Sequence, residues 1–327
     1  MLTFIREYIK SMRLYYSFVT GIAGWIGVAY YEYVATFSPD RTIEVAPPPE
    51  KKLVILILLF LSWGINQIIN DYLGREEDKI NAPDRPMVTG KLNPTAALLV
   101  SFGLILVTAI VTWFYLEPFA LVFLGAGVAL NLVYEYAKGY GTLGNVVFGL
   151  MITMATLFGA YASGPTESTV FLSHRISILI LIWLINALMT FYTYFKDYEG
   201  DKAAGKRTLV VKYGTGTARI LAIASSFLPT IVFVLLRITK MHEAPLNMTF
   251  IVLGVLTVFL QIWTGVLYYL NPTGEKTYES LEVNFRAGVC GQAALIALFN
   301  PDLAMWLFMF SYIFVGFIFE LHKNPKM

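Results

Sequence analysis

The feature that most constrains this chain is a series of apolar segments, each about as long as a bilayer is thick. A helix needs about 20 residues to cross a hydrocarbon core of roughly 30 Å. Ten segments approach or exceed that length: 15–36, 52–70, 95–115, 117–136, 143–163, 170–194, 218–237, 247–270, 283–299 and 303–321. Because lipid gives the backbone no hydrogen-bond partners, such segments cross as helices. The sequence therefore predicts an all-α, polytopic transmembrane helix bundle.

Composition agrees with one membrane domain over residues 1–327. Hydrophobic residues make up 57% of the chain and charged residues 14%. Residues 1–14 mix Arg6, Glu7 and Lys10 with apolar positions, which predicts an amphipathic helix on the membrane surface and not a cleaved signal peptide. The single Cys290 excludes an intrachain disulfide, and the three histidines lack metal-ligand spacing. Haem, zinc and thiol chemistry are not expected.

The distribution of basic residues predicts the orientation. With ten spans, only six of the 24 Lys and Arg lie on the side opposite the N-terminus: Arg41, Lys51, Lys52, Arg175, Arg237 and Lys240. Since basic residues accumulate on the cytoplasmic side, both termini are expected to be cytoplasmic. The net charge is only +2, and the basic residues are confined to particular loops. A nucleic-acid-binding surface is therefore not expected.

Two charged loops follow the second and sixth predicted spans. The first carries acids interleaved with bases: Asp71, Arg75, Glu76, Glu77, Asp78, Lys79, Asp84, Arg85 and Lys91. The second has acids followed by bases: Asp197, Glu199, Asp201, Lys202, Lys206 and Arg207. Four predicted helices separate the loops, so both emerge on the cytoplasmic side.

The spacing of the acids indicates a cation site. Asn70, Gly74 and Asp78 are four residues apart, as are Asp197 and Asp201, so each set lies on one face if the helix continues. Like charges so placed repel, but a divalent cation between them removes the repulsion, and Mg²⁺ favours carboxylates and substrate phosphates. The neighbouring Arg and Lys would bind the remaining phosphate charge. Together the loops predict a site for a magnesium diphosphate.

These residues resemble the UbiA superfamily of intramembrane prenyltransferases. The first family motif, NDxxDxxxD followed by RPxxxG, matches Asn70, Asp71 and Asp78, then Arg85, Pro86 and Gly90. The second, DxxxD followed by a basic segment, matches Asp197 and Asp201, then Gly205, Lys206, Arg207 and Thr208. A YxxxK pattern is matched by Tyr134 and Lys138. The resemblance covers residues 10 to 300.

The resemblance implies nine helices around a cavity in which Mg²⁺ joins the two acidic loops to an isoprenyl diphosphate. It implies a catalytic set of Asp78, Asp197, Asp201, Lys138 and Tyr134. The implied metal ligands are Asn70, Asp71, Asp78, Asp197 and Asp201, with Glu77 as an additional candidate. The implied diphosphate-binding residues are Arg13, Arg85, Lys138, Lys206 and Arg207.

Two departures from the family pattern affect these expectations. Gly74 stands where the first motif has its middle acid, so Asp71, Glu77 or Asp78 must supply that charge. Segment 303–321 would be a tenth span outside the nine-helix core.

Three functions follow as alternatives. The first is transfer of the prenyl group to a lipophilic acceptor, with an aromatic acceptor expected. The second is terpene cyclisation, because cyclases of the superfamily also lack the middle acid and keep a run like Glu76, Glu77 and Asp78. The third is transport, which would need charged residues within the spans. Several long segments contain none, so transport is the remote alternative.

Overall fold

The computed structural model of the protein describes residues 2–37, 46–165, 174–241 and 245–323. Its helices are α1 Leu2–Met12, α2 Phe18–Phe37, α3 Pro49–Leu73, α4 Arg75–Asn81, α5 Pro94–Tyr115, α6 Leu121–Ala137, α7 Leu143–Ala162, α8 His174–Lys196, α9 Tyr198–Ala203, α10 Leu209–Ser225, α11 Leu228–Ile238, α12 Met248–Leu270, α13 Thr277–Ala297 and α14 Pro301–Lys323. Two short parallel strands, β1 Tyr140–Gly141 and β2 Arg207–Thr208, pair with each other. The predicted all-α class is confirmed.

Seven helical segments in the described part of the chain are long and apolar enough to cross a membrane. They are α3, α5, Pro118–Ala137, α7, Ile176–Lys196, Leu209–Ile238 and α12. The predicted spans 15–36, 283–299 and 303–321 correspond to α2, α13 and α14, which are helical but fall outside this set. The start of the predicted span 170–194 lies outside the described residues.

Burial explains why α13 is less apolar than its neighbours. Most of this helix is buried inside the bundle, including the polar residues Ser280, Asn284 and Gln292. Their amides find partners there: Asn284 Nδ2 donates to the carbonyl of Met189 at 2.9 Å, and Gln292 Nε2 donates to Asn186 Oδ1 at 3.2 Å. An interior helix can thus carry polar groups that a lipid-facing helix cannot.

By contrast, α5 and α6 form part of the apolar outer surface. In the most hydrophobic 18-residue stretch of each helix, only 17% is buried, against 67% in the corresponding stretches of α7 and α8. Large side chains such as Leu99, Leu106 and Phe114 are exposed on α5. This contrast places α7 and α8 in the centre of the bundle and α5 and α6 toward the lipid.

Small residues bring α2 and α7 into direct backbone contact. A Cβ atom at Gly27 would lie 2.0 Å from the carbonyl oxygen of Thr156, and one at Gly159 would lie 2.0 Å from that of Gly24. Thr156 Oγ1 also donates a hydrogen bond to the carbonyl of Ala23 at 2.8 Å. Glycine at these positions lets two membrane helices pack closely, as small residues commonly do in membranes.

The predicted span 218–237 lies within the candidate membrane span Leu209–Ile238, but the helix is interrupted there. The structure has a helix break at Ser226 and Phe227, between α10 and α11. Pro229, near the start of α11, explains the break, because its ring is tolerated in the first turn but lacks an N–H for helix continuation. Hydropathy alone cannot detect such a break, since both halves are apolar.

The bundle has two charged ends. At one end, Lys51 pairs with Glu117 at 2.8 Å and Lys52 pairs with Glu32 at 2.9 Å. The opposite end carries the two charged loops. Helix α1 also lies at that second end, where Tyr8 hydrogen-bonds Ser101 at 2.7 Å, while Ile5 and Ile9 are exposed. The helix is therefore amphipathic as predicted, and its position on the membrane surface stays a prediction.

Candidate active site

The first charged loop keeps its motif on one face despite a helix break. Helix α3 ends at Leu73 and α4 begins at Arg75. Gly74 N donates to the carbonyl of Asn70 at 2.8 Å, and Asp78 N donates to the carbonyl of Gly74 at 3.1 Å. These helical hydrogen bonds hold Asn70, Gly74 and Asp78 one turn apart, as their spacing predicts.

The second loop has the same design. Helix α8 ends at Lys196, and Asp201 N donates to the carbonyl of Asp197 at 3.0 Å. After α9 the chain reverses at Gly205, whose φ is 73°, a conformation that favours glycine. This reversal lets Lys206 N donate to the carbonyl of Asp201 at 2.8 Å. The turn therefore fixes Lys206 beside the second motif.

The two loops contact each other directly. Gly200 N donates to Asn81 Oδ1 at 2.9 Å, which joins α9 to α4. The pairing of β1 with β2 joins the segment after α6 to the same loop. The two acidic motifs, 119 residues apart at this hydrogen bond, thus form one continuous cap.

A cavity of about 150 Å³ lies beneath this cap. Its polar wall includes Arg13, Asn70, Asp71, Glu77, Asp78, Arg85, Glu135, Lys138, Lys196 and Asp197. Its aromatic wall includes Tyr16, Trp63, Tyr134, Phe148 and Phe285. The Tyr16 and Phe285 rings stack with centroids 4.6 Å apart, and the Tyr134 and Phe148 centroids are 5.4 Å apart. The cavity therefore joins a charged end to an apolar interior.

Arginines neutralise the acids of the first motif. Asp71 is buried and pairs with Arg13 and, at 3.2 Å, with Arg85, which also contacts Asp78. Burial raises the pKa of Asp78; Arg85 opposes this effect and Asp71 adds to it. For Arg85, burial alone would lower the pKa, but Asp71 and Asp78 outweigh it and raise the pKa. The guanidinium stays charged.

Lys138 neutralises the second motif from α6. Its Nζ lies 2.8 Å from Asp201 Oδ1, and the Asp201 side chain is 0% exposed. Burial raises the pKa of Asp201 to about 6, with Lys138 opposing the shift and Asp197 adding to it. For Asp197, burial is outweighed by Lys196 and Lys138, which lower its pKa. Lys196 Nζ lies 3.6 Å from Asp197 Oδ1.

Lys206 joins three segments of the chain. Its Nζ lies 2.6 Å from Glu77 Oε1 and also contacts Glu135 Oε1. Burial acts to raise the pKa of Glu77, but the hydrogen bond from Lys206, a backbone hydrogen bond and the charges of Lys206 and Lys138 together outweigh it and lower the pKa. Glu77 therefore remains ionised within this three-residue ion-pair cluster.

The structure brings together most of the residues selected from sequence, but not all of them on the cavity wall. Asp201 does not line the cavity but pairs with Lys138, which does. Likewise, Lys206 pairs with the lining residues Glu77 and Glu135 without lining the cavity itself. The motifs do not predict these arrangements. Arg207 is exposed in β2 and is not among the residues that line the cavity. Its expected contact with a diphosphate thus has no support from its position.

Several lining residues were missed by sequence reasoning. They are Glu135, Lys196, Asn81, Gln67, Thr190, Thr193 and the aromatic residues other than Tyr134. Lys196 directly precedes Asp197, and Asn81 lies within the first loop, so proximity to the motifs could have identified both. The aromatic residues come from η1 (Leu14–Tyr16), α3, α7 and α13 and carry no local signal.

The donor set fits Mg²⁺ in its chemistry. Within the described ranges, no three His, Cys, Asp or Glu side chains form a cluster that could hold a metal ion as they stand. The ion pairs explain this, because the carboxylates are drawn to Arg and Lys. However, Asn70 Oδ1 has no hydrogen-bond partner and Asn70 lines the cavity beside Asp71. Carboxylate and amide oxygens are the hard ligands that Mg²⁺ takes.

Comparison with known proteins identifies the family. The UbiA prenyltransferase family model matches residues 43–289. The chain belongs to the UbiA prenyltransferase family. It is therefore a prenyltransferase, and the predicted family resemblance is confirmed.

Relatives within this family are 28% and 34% identical to this UbiA protein over the aligned residues. Digeranylgeranylglyceryl phosphate synthase of Pyrococcus horikoshii is 28% identical over 237 residues, covering 68% of this chain and 77% of the relative. The enzyme of the same name from Thermococcus sibiricus is 34% identical over 172 residues, covering 51% of this chain and 58% of the relative. The second match thus spans less than two thirds of that relative.

Solved structures confirm the fold of a UbiA helical membrane bundle. A digeranylgeranylglyceryl phosphate synthase structure matches with a TM-score of 0.58 and 21% identity, covering 96% of this chain and 98% of the other. A UbiA homologue from Archaeoglobus fulgidus, bound to GPP and Mg²⁺, matches with a TM-score of 0.62 and 17% identity, covering 93% and 99%. The protein is therefore a multi-pass integral membrane protein.

Proposed function

We propose that this prenyltransferase uses Mg²⁺ to ionise an isoprenyl diphosphate and transfers the prenyl group to a lipophilic acceptor inside the bilayer. The observation that carries the proposal is the single cavity beneath both charged loops. Residues of both motifs line its polar end, and aromatic side chains line its interior. A diphosphate and a hydrocarbon chain require this combination of surroundings.

The proposed metal ligands come from both loops. Asn70, Asp71 and Asp78 would act from the first loop and Asp197 from the second, since all four line the cavity. Bound Mg²⁺ would neutralise charge that develops on the leaving diphosphate. Asp201, selected as a ligand from sequence, is buried against Lys138. We propose that it acts mainly by fixing that lysine.

Basic residues on the wall would bind the diphosphate. Arg13, Arg85 and Lys138 line the cavity as predicted binding residues. Lys196 also lines it, although the sequence motifs did not identify it. Fixed positive charges in a site with little water stabilise the departing anion without reorganisation. Lys206, behind Glu77 and Glu135, would support the wall.

The aromatic wall would protect the allylic cation left after the C1–O bond breaks. Tyr16, Trp63, Tyr134, Phe148 and Phe285 lie on the same cavity as the bases. Aromatic faces stabilise a cation by about 0.5–2 kcal/mol each, and apolar walls exclude water that would quench it. Tyr134 would therefore act through its ring.

The relatives indicate which acceptor to test first. Their name describes a glyceryl phosphate that carries two geranylgeranyl groups. We therefore propose a geranylgeranylated glyceryl phosphate as the acceptor, ahead of the aromatic acceptor expected from sequence. Terpene cyclisation is the second candidate, and Gly74, in place of the middle acid, is the observation that favours it.

One experiment separates these functions. Purified protein is incubated with Mg²⁺ and geranylgeranyl diphosphate, either alone, with geranylgeranylglyceryl phosphate, or with an aromatic phenol, and products are identified by mass spectrometry. We expect a doubly prenylated glyceryl phosphate. A cyclic hydrocarbon formed without acceptor would establish cyclisation instead, and intact substrate in every reaction would contradict the proposal. The same experiment is repeated with geranyl and farnesyl diphosphate to define chain length.

A further inference from the structure

A carboxylate from another helix lies where the first motif lacks its acid. An ideal Cβ atom built on Gly74 would be 3.4 Å from Glu135 Oε1 and 3.6 Å from Glu135 Cδ. Glu135 belongs to α6 and lines the same cavity. The space that an acidic side chain at position 74 would enter is therefore next to an acid already.

The local charge balance leaves this carboxylate in excess. Lys206 contacts both Glu77 and Glu135, so one ammonium group serves two carboxylates. Among the other described ion pairs of the site, acids and bases are matched. Arg13 and Arg85 serve Asp71 and Asp78, Lys138 serves Asp201, and Lys196 serves Asp197. The cluster of Glu77, Glu135 and Lys206 thus has two acidic side chains and one basic side chain.

We propose that Glu135 supplies the cation-binding carboxylate that Gly74 lacks. This inference rests on the proposed magnesium-dependent function and deepens it. Glu135 is a better candidate than Glu77 because its carboxylate adjoins the space beside Gly74. In addition, Lys206 can remain paired with Glu77 when Glu135 turns toward a cation. A Cβ atom at position 74 would be in ordinary van der Waals contact with this carboxylate, so a side chain at either position reaches the same space.

The test measures Mg²⁺ binding and does not depend on turnover. Mg²⁺ is titrated calorimetrically into wild type, Glu135→Gln and Glu76→Gln, each with inorganic pyrophosphate present. Glu76 is the matched control because it is 77% exposed and pairs with Lys79 at 2.6 Å, away from the cavity. We expect Glu135→Gln to weaken Mg²⁺ binding at least about tenfold. Glu76→Gln should leave it unchanged.

A rescue variant distinguishes a cation-binding role from a structural one. Gly74→Asp combined with Glu135→Gln returns a carboxylate to the same space and should restore most of the Mg²⁺ affinity. If the single and double variants lost the same amount of Mg²⁺ affinity, Glu135 would be assigned to supporting Lys206 and the inference would be overturned. This conclusion holds whether or not the melting temperatures change. If wild type itself binds no Mg²⁺, the proposed function fails first, and that result is recognised before any variant is compared.

Discussion

At the scale of single residues, the cavity is organised by ion pairs that cross between helices. Several predicted ligands and bases are held by partners from distant parts of the sequence, such as Lys138 for Asp201 or Arg13 for Asp71. A buried pair contributes little net stability, but removing one partner leaves a costly uncompensated charge. For substitutions at these positions, stability and activity should therefore be measured separately.

Asp197→Asn should abolish consumption of geranylgeranyl diphosphate while leaving the protein folded. Asp197 lines the cavity, and its partner Lys196 is partly exposed, so loss of the charge can be tolerated structurally. The measurement is release of diphosphate, with melting temperature in detergent as the folding check. Glu199→Gln changes an exposed acid two residues further along, in α9; it is the control and should retain turnover. Full activity of Asp197→Asn would contradict its assignment.

Lys138→Met should both weaken diphosphate binding and destabilise the protein by about 3–5 kcal/mol, because Asp201 is left buried without its cation. The double variant Lys138→Met with Asp201→Asn should regain most of the stability but not the activity. Thermal unfolding and diphosphate affinity are measured on the same samples. If the double variant were no more stable than the single one, the pair would not account for the loss.

At the scale of elements, the bundle depends on contacts that hydropathy cannot reveal. The sequence predicts where the helices and the two charged loops lie, because long apolar runs and clustered charges are local signals. It does not predict that α13, with its polar residues, is an interior helix, or that α10 and α11 break at Ser226 and Phe227. Those outcomes depend on packing partners far away in the chain.

Gly159→Ala should destabilise the protein because the added Cβ would collide with the backbone of α2, not with a flexible side chain. Overpacking of this kind costs about 1–3 kcal/mol. The melting temperature in detergent should fall accordingly. Gly103→Ala on α5 is the matched control, since a Cβ there has no neighbour within 4 Å. Equal melting temperatures for the two variants would show that α2 and α7 can separate without cost.

At the scale of the whole molecule, one end carries the proposed chemistry and the other a set of plain ion pairs. The positions of Asn70, Asp71, Asp78 and Asp197 on one cavity could be predicted from the motifs. The proposed contribution of Glu135 could not, because the YxxxK pattern around it gives no sign that this side chain approaches Gly74; the approach arises only when the helices pack. Some residues of the site therefore lie in recognisable sequence motifs, whereas others reach it only through the packing of the helices.

Both charged loops should be cytoplasmic. In a background with Cys290→Ala, single cysteines replace the exposed Asp84 and Glu199 at one end and Glu50 at the other. A membrane-impermeant maleimide added to intact cells should label only position 50, because basic residues favour the cytoplasmic side for the loops. Labelling of positions 84 and 199 from outside would reverse the proposed orientation.

The ion pairs of Arg85 with Asp71 and Asp78 have a further consequence for how the enzyme binds metal and substrate. Both contacts use Nη1 of this guanidinium, so an incoming phosphate would compete with two carboxylates for the same positive charge. Acids that turn toward an incoming cation release the arginine for the substrate. Metal and diphosphate should accordingly strengthen each other's binding by the same factor, whichever arrives first.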